Sequence, residues 1–129
     1  MTNNDKGYIQ LSDLKVYQLA RELSKIGWEI YSMLEWRYKK IIGDQFIEST
    51  DSVGANIAEG YGRFHYLDKI KFYYNSRGSL AECGDHWVEL LLERNLVNRS
   101  EYDKFKQVAK ELSVKLSNFI STTYRSKAQ

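Results

Sequence analysis

Apolar residues recur along this chain at steps of three and four. Val16, Ala20, Leu23, Gly27, Ile30, Tyr31 and Leu34 keep that spacing, the period of one helix face. Ser12 is the predicted N-cap, because its hydroxyl can accept from a free amide of the first turn. Leu19, Ile26 and Met33 widen the face and predict a buried surface beyond one core stripe. A second helix is expected over about 41–60, with Phe46, Thr50, Val53 and Ile57 inward and Asp44, Glu48, Asp51 and Glu59 opposite. Gly60 and Gly62 supply its stop. A third helix, about 66–94, carries Ile70, Tyr73, Tyr74, Ala81, Gly84, Val88 and Leu91 in register. Asn98 with Glu101 three residues on reads as a capping box, Asn replacing the usual Ser or Thr. It opens a fourth helix through Phe105, Val108, Leu112, Leu116 and Ile120 to near Tyr124.

Four long helices with short connections predict an all-α fold, an antiparallel up-and-down four-helix bundle. The whole chain, 1–129, reads as one domain with an ordered core of about 11–124 and loose ends outside it. Composition agrees: there is no proline to break helices, and 43% hydrophobic residues suffice for a core. The lone Cys83 excludes an internal disulfide and a multi-cysteine zinc site. The opening MTNNDKGYIQ lacks the features of a secretory signal, and no apolar run approaches the ~18 residues of a membrane span. A cytoplasmic protein is expected. A formal net charge of +2 does not by itself call for a polyanionic partner.

The stretch SVGANIAEGYGR, residues 52–63, sits in the second helix although glycine and asparagine disfavour helix interiors. Ser49, Ser52, Asn56 and Glu59 form a narrow polar stripe beside the apolar face, and small residues at such a seam let another helix approach. The third helix places Arg77 on its predicted apolar stripe. A buried guanidinium needs partners, and Glu59 and Asn56 are the candidates for a structural polar network, within the chain or between subunits. The alternative is a snorkelling Arg77 whose head stays in water. On the network reading this stretch is a packing device.

ANIAEGYGR, RGSLAE and the opening LKVYQLARELS together resemble the four-helix-bundle family of 23S rRNA intervening-sequence proteins, over about residues 11–122. The resemblance implies a bundle assembling into a ring-like homopentamer with no established enzymatic activity. It extends to accessory variability proteins of diversity-generating retroelements, which implies a reverse transcriptase and nucleic acid as partner classes. After the glycines, where the family often has a basic, serine-containing run, this chain reads RFHYLDK.

Enzymatic chemistry finds little support in the spacing. Glu82, His86 and Glu89 resemble part of a Glu-x-x-His metal site, yet no second helix offers a matching motif. Cys83 lacks an identifiable base, and EGYGR lacks P-loop spacing. No catalytic residue, metal or cofactor is expected. Charge is more telling: residues 44–59 hold four acids and no base, while residues 98–129 hold seven bases against three acids. Three readings stay open: ordinary solvated faces, an acidic helix meeting a basic neighbour, or polyanion binding by Lys104, Lys106, Lys110 and Lys115, with Arg63. The expected function is a non-enzymatic oligomer that binds RNA, DNA or a nucleic-acid enzyme through its surface. The alternative is a protein scaffold without nucleic-acid affinity.

Overall fold

The computed structural model describes residues 9–126, which form four helices and no strand. The expected loose ends largely fall outside the described residues. A 3-10 turn at Leu11–Asp13 leads into α1, Lys15–Ser32. The start of α1 corrects the expected cap: Leu14 is the N-cap and bonds through no side chain, while Ser12 lies in the preceding turn. There the Ser12 carbonyl accepts from Gln18 Nε2 at 3.0 Å.

The second helix, α2, occupies residues 36–61 and begins five residues before its predicted start. It runs through Trp36–Tyr38, a π-helical turn at Lys39–Gly43 and Asp44–Tyr61. At the π-turn the backbone presses on α1: a Cβ on Gly43 would lie 2.7 Å from Leu34 Cδ1 and 3.2 Å from the Tyr31 ring. Ile42 and Phe46, on either side of this turn's end, are both buried.

α3 occupies residues 66–93 as Tyr66–Glu82, a second π-turn at Cys83–Trp87, and Val88–Glu93. Its end is closed by Asn95 in the left-handed region, φ 59°. The Leu96 amide donates to Leu91 O at 2.8 Å and the Asn95 amide to Leu92 O at 3.0 Å, the Schellman pattern with asparagine in the usual glycine position. α4 is Arg99–Ser126, and half of its predicted box forms: the Glu101 amide donates to Asn98 Oδ1 at 2.8 Å, while the Glu101 carboxylate turns to Lys104 instead of the Asn98 amide.

Each helix packs mainly on two others: α1 on α2 and α4, α3 on α2 and α4. Between α1 and α2 the contacts run in opposite chain order. Gly54 approaches Ala20, Gly27 approaches Thr50, and Gly43 approaches Tyr31. Phe46, Val53, Ile57, Tyr73, Leu91, Phe105, Leu112 and Leu116 fill the middle. Leu19 and Ile26, expected to widen α1 toward an outside surface, are buried within the chain instead; Met33 is the part of that wide face left open, at 82% exposure.

The SVGANIAEGYGR stretch does serve close packing. A Cβ on Gly60 would meet Tyr73 Cε1 at 2.7 Å and Phe72 Cβ at 2.9 Å, so α3 crosses where only hydrogen fits. Gly62, by contrast, has φ −82° and a roomy site, so the helix stop does not rest on glycine geometry.

Candidate functional site

Arg77, Glu59 and Asn56 do not meet in the chain. Arg77 is exposed, its guanidinium 4.7 Å from the centroid of the Tyr74 ring. Glu59 pairs with Arg63 one turn on at 2.5 Å, and Asn56 Nδ2 donates to Ser52 O at 2.9 Å and Ser52 Oγ at 3.0 Å. The physical reason is register. The buried positions of Tyr66–Glu82 are Ile70, Tyr73, Ser76 and Leu80, and residue 77, one step of about 100° round from Ser76, falls at the margin of the inward face and is exposed. The buried polar link between α2 and α3 is smaller than expected: Ser76 Oγ donates to Val53 O at 2.8 Å. Within the chain Arg77 adopts the snorkelling arrangement, its head stacked on the Tyr74 face, which leaves a network between subunits as a proposal.

The α4 lysines divide into two kinds. Lys106 is structural: half-buried, it donates to Glu89 Oε2 at 2.8 Å and to the π-turn carbonyl of Gly84 at 2.7 Å. Tyr102 OH donates to the same Glu89 oxygen at 2.7 Å. The hydrogen bond from Lys106 holds the Glu89 carboxyl below its ordinary range, against the opposing effect of burial. Burial pulls Lys106 down, but its bond to Glu89 and that carboxylate's charge outweigh it and leave the ammonium raised. Lys104 pairs with Glu101 at 3.1 Å. Lys110 and Lys115 are exposed and form no ion pair among the described residues. Arg63, besides binding Glu59, lies 4.7 Å over the Phe72 ring.

The other chemical candidates are occupied or buried. Burial pushes the Cys83 thiol up to about 12, a poor nucleophile at neutral pH. Glu82 accepts from Trp87 Nε1 at 2.9 Å, and His86 meets the Trp87 ring edge-on. No cluster of three or more potential metal-ligating side chains occurs among the described residues, and none of their helices is long and apolar enough to cross a membrane.

The densest exposed cluster is one that the sequence reading passed over. It lies at the turn from α1 to α2, where Trp36, Met33, Ile41 and Trp28 are all more than half exposed. Three cations interleave with the rings: Arg37 lies 4.6 Å from the Tyr38 centroid, Lys39 5.1 Å from Tyr31, and Lys40 6.0 Å from Trp36. Trp28 stacks on Tyr31 with centroids 5.4 Å apart. Tyr31 also donates to Asp44 Oδ1 at 2.7 Å, a bond that raises the phenol's pKa. Beside this cluster, between α1 and the α3–α4 connection, is a groove of about 1010 Å³ lined by Trp28, Met33, Leu96, Val97 and Arg99 among others. WRYKK was the available signal: two rings and three cations without an acid.

A four-helix, all-α protein with its exposed chemistry on helix surfaces and turns is the class this arrangement defines. The chain belongs to the 23S rRNA-intervening sequence protein family, whose model matches residues 12–118. Among solved structures it is similar to a protein of unknown function from the S23 ribosomal protein family of Bacteroides thetaiotaomicron, at 23% identity and a TM-score of 0.75. That likeness covers 82% of this chain and 95% of the other and concerns the fold alone. No curated protein matches the chain.

Proposed function

We propose that this protein is a non-enzymatic assembly module: a single-domain, antiparallel up-and-down bundle that forms a homo-oligomer in the cytoplasm, a ring of five by family resemblance. Its surface binds RNA or DNA, or an enzyme that acts on them, such as a reverse transcriptase. The opposite chain order of the α1–α2 contacts supports the bundle topology. The observation that carries the binding reading is the set of exposed cations free of strong internal partners. Lys110 and Lys115 stand open on α4, and Arg37 and Lys40 sit in exposed pairs at 3.5 Å and 3.8 Å. Exposed pairs of this kind are worth about 0–1 kcal/mol, so phosphates can displace the carboxylates. One protomer presents few such groups; symmetry multiplies them.

A protein scaffold is the second reading, favoured by the apolar lining of the groove at Trp28, Met33, Leu96 and Val97. One experiment separates the two. The oligomer, sized by light scattering, is titrated with labelled structured RNA and duplex DNA over a salt series. Micromolar binding that falls steeply with salt supports the first reading, whereas no binding even at ~50 mM salt sinks it for the protein alone.

A further inference from the structure

Trp36 poses a physical question. It opens α2 at 73% exposure, its bulk packed against little besides Lys40. Indole is costly to leave in water and effective when a flat apolar partner covers it. Around it the cations are not scattered. Arg37, Lys39 and Lys40 each lie on or beside a ring, at 4.6–6.0 Å from a centroid, and the acids that flank residues 36–43, Glu35 and Asp44, hold Arg37 and Lys40 only in exposed pairs. The Trp28–Tyr31 stack with Lys39 on the Tyr31 face extends the same alternation toward the groove.

We infer that the α1–α2 turn is a docking site for unpaired nucleic acid, with Trp36 stacking on a base and Arg37, Lys39 and Lys40 meeting the adjoining phosphates. This deepens the nucleic-acid reading above and rests on it. The alternation supplies a π face and a cation for each nucleotide unit, as single-strand binding requires. A bilayer would engage the exposed apolar side chains but has no use for the groove beside them. A duplex hides its base faces inside the stack, leaving Trp36 without a partner. This yields a signature that charge alone cannot produce. Duplex DNA has the higher charge density and wins on electrostatics, so a preference for single strands reports stacking.

The test measures fluorescence anisotropy of an unstructured labelled RNA 12-mer and of a matched duplex, across a salt series, with the intact oligomer. Trp36→Ala is expected to weaken single-strand binding about 10-fold and duplex binding less than about 2-fold, while Trp36→Phe keeps most of the affinity. Lys39→Ala with Lys40→Ala is expected to lower the single-strand salt slope by about 1.4, and Lys110→Ala with Lys115→Ala to spare the single-strand preference. Far-UV circular dichroism verifies that each variant folds. Wild-type binding that ignores Trp36→Ala, or that favours the duplex, overturns this site while leaving the broader reading standing. No binding of either nucleic acid at ~50 mM salt overturns both. Trp36-dependent binding to phosphatidylserine vesicles, without RNA binding, overturns it in favour of a lipid surface.

Discussion

Two glycines in adjacent helices respond to the same substitution with opposite signs. At Gly60 a methyl group would stand 2.7 Å from Tyr73 Cε1, 2.9 Å from Phe72 Cβ and 3.0 Å from Tyr73 Cδ1. Phe72 Cβ is tied to the α3 backbone, so it cannot rotate away. Tyr73 is also held, buried at 1% exposure with its ring 4.8 Å from Phe119. The helices must therefore separate locally, and overpacking of this kind costs about 1–3 kcal/mol. Alanine returns up to about 1 kcal/mol of helix propensity. Because both obstructing groups are fixed, the net for Gly60→Ala is a loss of about 1–2 kcal/mol. At Gly78 nothing lies within 4 Å of the added carbon. Gly78→Ala collects only the propensity and gains about 0.5–1 kcal/mol. Thermal unfolding followed at 222 nm, at one fixed protein concentration, reads both, with about 3–5 °C expected per kcal/mol. A Gly60→Ala protein as stable as wild type, or more so, would refute the account of α2–α3 packing.

Arg77→Ala is expected to cost under about 0.5 kcal/mol in urea unfolding, since the guanidinium is exposed and only stacked on Tyr74; a loss near 3 kcal/mol would restore a buried ion pair, including one between subunits. Glu89 has a folded pKa held below the ordinary 4.5, so its contribution is present above that value and disappears as the pH falls through the depressed one. Glu89→Gln should therefore flatten the acid limb of the stability–pH curve below about pH 4.5, by no more than about 1 kcal/mol because the pair is one-third exposed. Acid limbs that superimpose would rule this out. Cys83 is expected to resist an aromatic disulfide reagent at neutral pH until denaturant is added, and rapid labelling of the native protein would contradict its burial and raised pKa.

Helix count and most helix ends were legible because periodicity and turn chemistry are local. Asn98 caps α4 from a position visible in NRSE, and Tyr66 begins α3 four residues after the glycine pair, as read from the sequence. Ser12 and residue 77 show where locality ends. Ser12 has cap chemistry, but Gln10, Leu11 and Asp13 build a 3-10 turn that moves the helix start past it. Residue 77 was placed on the inward line by a broad tyrosine-rich stripe, and a shift of one position carries an arginine from core to solvent. Only packing decides between adjacent registers, and here Ser76 faces Val53 while Arg77 lies at the surface. The π-turns escaped because they carry no cap or periodicity signal; each lies where the backbone comes close to another helix, Gly43 to Tyr31 and Gly84 to Ala109. The surface posed the opposite difficulty. Counting lysines on α4 treated charge as availability, yet Lys106 is absorbed by Glu89 and Gly84 while WRYKK, with fewer charges, leaves Trp36 exposed and holds Arg37 and Lys40 only in exposed pairs. What a surface can bind depends on which groups the fold has left without strong partners, a property of the packed chain that composition does not carry.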